Sequence, residues 1–142
     1  MNKLRLLTIL FATLFLTTLA SCSKDDDAEP SKTTLLTSKT WVANQVLVDS
    51  INRTNEFDFD IQSIKYTFEE RGVYLYTYNG SVSNGTWEFT DNETKILFDK
   101  GTSYEASSDL VKLSSTSLTL SSKVTNPANG ITFIYEIRYL NE

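Results

Sequence analysis

Apolar positions in this chain fall into two regimes. Leu6 to Leu19 forms one long apolar run, and from residue 39 onward apolar residues instead alternate with polar ones at period two. Ile64, Tyr66 and Phe68 face one way while Lys65, Thr67 and Glu69 face the other. Trp87 and Phe89 alternate with Thr86, Glu88 and Thr90, and Phe133, Tyr135, Ile137 and Tyr139 share a face that Glu136 and Arg138 leave. Alternation of this kind marks half-buried strands of an antiparallel sheet. It predicts strands near 39–49, 63–69, 72–80, 83–90, 94–100, 103–113, 117–124 and 131–140, with no helical period sustained beyond a few residues. Gly72, Asn79-Gly80, Asn84-Gly85 and Asn129-Gly130 supply residues that tolerate positive φ at turns. A further turn at Ser114 to Ser117 would set Leu113 opposite Leu118 and Val111 opposite Leu120. The expectation is an all-β fold, an antiparallel up-and-down meander of about eight strands closing into a small β-barrel. A two-sheet sandwich is the alternative with the same strand order.

Ser50 to Gln62 breaks the pattern. One reading has Asn55 capping a short helix whose Phe57 and Ile61, four apart, cover the open end as a lid. The plainer reading is a loop held by its two phenylalanines. Glu56, Asp58 and Asp60 lack the glycine and oxygen spacing of a calcium loop, so solvated carboxylates are expected and no metal.

The first apolar run has another use. Lys3 and Arg5 precede it, its 14 residues carry four threonines, and small residues follow, which is the layout of a secretory signal and too short for a membrane span. Leu19-Ala20-Ser21-Cys22 matches the bacterial lipobox, in which the thiol takes a diacylglycerol before cleavage. Residues 1–21 are therefore expected to be a lipoprotein signal peptide and Cys22 the lipidation site, anchoring the protein to a membrane through its N-terminal lipid. Residues 22–34 read as an acidic tether and 35–142 as one barrel domain. Lys24-Asp25-Asp26-Asp27 resembles the export signal of surface-exposed lipoproteins in Bacteroidetes-type bacteria. The expected location is the outer membrane, lipid-anchored, with cell-surface exposure if that run is read as an export signal. Cys22 is the only cysteine, so the domain has to hold together by apolar burial, without disulfides.

Charge and composition remove several functions. Without Lys3 and Arg5 the 13 basic residues fall to 11 against 18 acidic, a net of −7, which disfavours nucleic acid as a partner. With no histidine, Ser-His-Asp triads, Cys-His pairs and His-liganded zinc are excluded. No phosphate-binding glycine loop is present and no cofactor is expected. A carboxylate-pair hydrolase would have to use residues such as Glu105 or Asp109, which read as outward strand positions, so the chain is not expected to be an enzyme.

Several segments together resemble the lipocalin-like domain of small Bacteroidetes-type lipoproteins. They are Lys39-Thr40-Trp41, Tyr66-Thr67-Phe68-Glu69-Glu70-Arg71-Gly72-Val73-Tyr74, Asn84-Gly85-Thr86-Trp87-Glu88-Phe89, Leu113 to Leu120, and Ile134-Tyr135-Glu136-Ile137-Arg138-Tyr139. Lys39 stands where lipocalins proper carry the glycine of Gly-x-Trp, and the chain is shorter than a typical lipocalin. The resemblance implies a lipocalin-like barrel that binds a small hydrophobic ligand. The inward aromatics Tyr66, Phe68, Trp87, Phe89, Phe133 and Tyr135 either fill such a barrel or line its pocket. Tyr74, Tyr76 and Tyr78 make a second stripe, opposed on its own strand by Val73 and Leu75, so either stripe can be the inner one. Facing in, Tyr74 and Tyr76 would orient a ligand's polar end. Facing out, the stripe would be a patch for a protein or glycan partner, the alternative function, over a packed core.

Overall fold

The computed structural model describes residues 29–142; the signal peptide, Cys22 and the tether up to residue 28 lie outside the described residues. Among the described residues one short helix, α1 (Lys32–Thr37), precedes nine strands. These are β1 (Thr40–Val48), β2 (Ile51–Asn52), β3 (Lys65–Glu69), β4 (Val73–Tyr78), β5 (Ser81–Thr90), β6 (Lys95–Phe98), β7 (Ala106–Leu113), β8 (Ser117–Thr125) and β9 (Thr132–Asn141). Every pairing is antiparallel and joins sequence neighbours, apart from β1 with β3 and the closing pair β1 with β9. Eight strands thus form a closed lipocalin-like barrel and leave no free edge between first and last. β2 is a two-residue addition that pairs with the upper part of β1, where β3 has already left it.

Strand direction gives the barrel two ends. The turns β3–β4, β5–β6 and β7–β8 fall at one end together with α1, whose Lys32 Nζ donates to the Glu93 carbonyl at 2.8 Å. The turns β1–β2, β4–β5 and β8–β9 fall at the other. α1 is started by Ser31, whose hydroxyl accepts from the Thr34 amide at 3.1 Å. Its purpose is to insert Leu36, fully buried, into the lower end, where the Leu36 carbonyl accepts from the Trp41 indole at 2.9 Å. The helix spans residues that the sequence pattern divides between tether and domain, because a Thr-rich stretch with Leu35 and Leu36 shows no apolar period of its own.

Two local expectations are corrected. Asn84-Gly85 is no turn: Gly85 lies inside β5, opposite Tyr74. A Cβ at Gly85 would overlap Asp99 Oδ1 and come within 2.6 Å of the Tyr74 ring, so the missing side chain makes room for these two. The hairpin turn is Asn79-Gly80, with both residues at positive φ (46° and 79°), as a two-residue connection between Tyr78 and Ser81 requires. Leu113 does pair with Leu118, but a bulge between Leu110 and Lys112 sets Leu110, not Val111, opposite Leu120 and leaves Val111 exposed. Ser50 to Gln62 holds β2, a 3-10 turn at Thr54–Glu56 and another beginning at Ile61, with no longer helix. Phe57 and Phe59 meet at 5.5 Å, Phe59 sits edge-on to Tyr78 at 5.2 Å, and Ile61 is buried. Glu56 pairs with Arg53, and Asp60 caps the second turn by accepting from the Gln62 amide.

Candidate functional site

Cross-strand pairing fixes which residues share the barrel interior, because directly opposed residues point to the same face. Trp41 opposes Tyr66, Tyr66 opposes Tyr76 and Phe68 opposes Tyr74. Tyr74 and Tyr76 therefore face inward, and Val73 and Leu75 outward. Trp87 opposes Phe98 and Phe89 opposes Ile96, while on the other wall Leu118, Leu120, Ser122 and Val124 oppose Tyr139, Ile137, Tyr135 and Phe133.

The lower interior is solid. Leu36, Trp41, Phe68, Ile96 and Leu118 are sealed from solvent, and Phe68 lies edge-on to Trp87 at 5.5 Å. The Trp87 indole donates to the carbonyls of Glu69 and Val73 at 3.0 and 3.1 Å. Tyr66 marks the transition, with the rings of Phe68, Tyr74, Tyr76, Phe98 and Tyr139 around it at centroid distances of 5.0 to 5.9 Å. Above it the barrel is hollow: a cavity of about 280 Å³ is lined by Tyr66, Phe98, Ser108, Leu120, Ser122, Val124, Tyr135, Ile137 and Tyr139. Val124, at 47% exposure, lies at the rim, and Ser108 and Ser122 share a 2.7 Å hydrogen bond across the wall.

The tyrosine hydroxyls are of two kinds. Tyr74 donates to Asp99 Oδ2 at 2.7 Å, while Asp99 Oδ1 accepts from the Thr86 amide at 2.9 Å. Burial, then the Asp99 bond and charge, push the Tyr74 phenol up to about 12. Burial likewise raises Tyr66, reinforced by Tyr76, Tyr74 and Asp99, and raises Tyr76, reinforced by Tyr78. Tyr139, 2% exposed, is raised well above the usual tyrosine value by burial and then by Tyr66 and Tyr76. Neutral phenols are thus the stable species in this interior. No carboxylate and no cation is among the cavity's lining residues, and Glu105 and Asp109 are exposed.

Of the residues predicted for a ligand, Tyr66 and Tyr135 line the cavity and the Tyr76 ring lies tilted against Tyr66 at 5.0 Å. Phe133 lies on the same inner row beside Val124. Phe68, Tyr74, Trp87 and Phe89 belong to the packed lower cluster and its margin. The pattern reading passed over Phe98, Ser108, Leu120, Ser122, Val124, Ile137 and Tyr139 as site residues. Ile137 and Tyr139 lie on the face that the alternation of the last strand identifies, whereas Ser108 and Ser122 carry no apolar signal in the sequence.

Comparison with known proteins agrees on the fold. The chain is similar to bovine odorant binding protein in complex with a selenium-containing odorant, with a TM-score of 0.50 and 13% identity over 84% of this chain and 78% of that one. It is also similar to bovine odorant binding protein complexed with its natural ligand, at TM-score 0.50 and 14% identity over 83% and 77% of the two chains. At such identities the likeness is one of fold: the domain is a lipocalin-like barrel. No protein-family model matches the chain, and no curated protein does.

Proposed function

We propose that this protein is a lipid-anchored binding protein whose barrel takes up one small, largely apolar molecule through its open end. The observation that carries the reading is the cavity above Tyr66, enclosed by Phe98, Leu120, Val124 and Ile137 with a few polar groups between them. Sites for small molecules have this makeup, mostly apolar walls with a small number of placed polar groups. At about 280 Å³ it has the volume of roughly nine liquid waters, which sets the ligand's size. The bovine proteins of like fold, solved with a selenium-containing odorant and with a natural ligand, support the same use. Tyr74 and Tyr76 face inward, so the aromatic outer patch on which the alternative, a protein- or glycan-binding surface, would depend is missing from β4.

The anchor belongs to the same proposal. The Leu19-to-Cys22 motif supports diacylglycerol on Cys22, and Lys24 to Asp27 supports export to the outer face of the outer membrane, as in Bacteroidetes-type lipoproteins. The described chain enters the barrel through α1 at the closed end. The test is a titration of the purified protein with N-phenylnaphthylamine, a neutral fluorophore that brightens in apolar surroundings. One saturable site, lost when Leu120→Trp fills the cavity, is expected. Absence of saturable uptake overturns the binding reading. For the anchor, Cys22→Ala is expected to leave an unprocessed precursor without lipid; normal processing of that variant refutes lipidation.

A further inference from the structure

We infer that the bound molecule is neutral and carries a carbonyl-type hydrogen-bond acceptor, which the hydroxyls of Tyr66 and Tyr139 hold at the inner end of the cavity, and that carboxylates of equal size are rejected. This rests on the cavity reading above and names the class of molecule it takes.

The hydroxyls provide the first reason. Among the described residues the only buried side-chain polar atom that is both sealed and unpartnered is Ser63 Oγ. Among the described residues no hydrogen bond ties down the hydroxyl of Tyr66 or of Tyr139, and both residues line the cavity. Tyr74, by contrast, has spent its proton on Asp99. A phenol buried without a partner is costly, and what these two lack is an acceptor for their protons. A carbonyl oxygen, with two lone pairs, can accept from both. The rest of the ligand would lie along Leu120, Ile137 and Val124 toward the open end.

Charge supplies the second reason. No lysine or arginine is among the lining residues, so an anion entering the cavity would shed water and meet no cation. The carboxylate that acts on Tyr66, Asp99, is negative and raises its phenol after burial, Tyr76 and Tyr74. A cation fares no better by contact, because both Asp99 oxygens are already taken, by Tyr74 and by the Thr86 amide. A neutral acceptor is the species that satisfies the hydroxyls without a desolvated charge.

The test uses the same protein and displaces N-phenylnaphthylamine with methyl octanoate and with octanoate at neutral pH. These share an acyl chain and differ in the charge on the head. Methyl octanoate is expected to compete at least about tenfold more strongly than octanoate. Tyr66→Phe and Tyr139→Phe are each expected to weaken the ester, measured against the fluorophore's own affinity in the same variant, by about threefold to tenfold, the size of one lost hydrogen bond. Octanoate competing as well as the ester overturns the inference in the unmodified protein, whatever the variants do. Ester affinity unchanged in the double Tyr→Phe variant overturns it as well. In both cases the fluorophore still binds and the cavity reading stands. If fluorophore, ester and octanoate all fail to bind, the cavity reading falls and this inference with it.

Discussion

At the closed end of the barrel Leu36, Trp41, Phe68 and Ile96 are shut off from solvent and each indole nitrogen reaches a backbone carbonyl. At the open end Tyr66 and Tyr139 present the same kind of side chain, an aromatic body with a polar tip, but they line the cavity and no hydrogen bond among the described residues ties their tips to the chain. Both ends use bulky aromatics, so bulk alone does not decide whether a small barrel is filled. What decides it is whether the tips are tied back to the chain: tied, the ring is fixed and neighbours pack on it; untied, the ring stands as a wall with a functional edge. Substitutions in the two halves should therefore behave differently.

The largest effect is expected at the floor. Phe68→Ala removes a ring that is 1% exposed and holds Trp87, and should lower unfolding free energy by about 3 to 5 kcal/mol in urea denaturation. A loss below about 1 kcal/mol would mean the lower half is not close-packed.

Next comes the join between floor and cavity. Gly85→Ala puts a methyl where Asp99 and the Tyr74 ring already lie and should cost about 1 to 3 kcal/mol. Combined with Tyr74→Phe it should cost less than the two separate losses together, since both remove the Tyr74–Asp99 bond. Additive losses in a double-mutant cycle would show that Gly85 serves some other purpose.

Gly85 also shows where sequence reading stops. An Asn-Gly pair reads as a hairpin turn, and nothing local reveals that a tyrosine on β4 and an aspartate after β6 meet over that glycine. The long strands were legible because a barrel wall with one buried face imposes period two on them, as Phe133 to Tyr139 show. The order of those strands followed from short turns. α1 was not legible, since six residues with one buried leucine carry no period, and β2 is too short to show one. The facing of Tyr74 and Tyr76 was undecidable on β4, where both faces are apolar, and was settled only by their register against Tyr66 and Phe68. The cavity itself was illegible because it depends on where opposite walls stop touching, which no pattern along one strand records.

The tyrosines that separate the two halves should make stability depend on alkaline pH. In the unfolded chain they ionise near pH 10, whereas Tyr74 in the fold ionises at about 12 and Tyr66, Tyr76 and Tyr139 are also shifted upward, burial being the largest cause for each. Between those values the unfolded state has released protons that the folded state keeps, so unfolding free energy falls as pH rises. The contribution is fully present below about pH 10 and is lost as pH climbs through the folded-state values. Denaturation midpoints measured from pH 8 to 12 should be level at first and then drop, and Tyr66→Phe should flatten the drop. A level profile to pH 12 would mean that these phenols are solvated as freely in the fold as in the unfolded chain.

The smallest stability effect should come from the cavity wall. Ser108 and Ser122 bond only to each other among the described residues, and both face the hollow. Replacing both by valine removes donor and acceptor together and adds apolar bulk to empty space, so stability should change by about 1 kcal/mol or less in either direction. Ligand binding should suffer far more, because the two extra methyl groups, with two more in place of the hydroxyls, take up volume that a molecule of this size needs and remove the wall's polar groups. A variant that denatures like the parent but no longer takes up the fluorophore would establish that the upper half of the barrel is kept hollow for binding and contributes little to the fold. Were the same variant to lose several kcal/mol, the wall would be under packing constraint like the floor, and the contrast between the two ends would be one of degree.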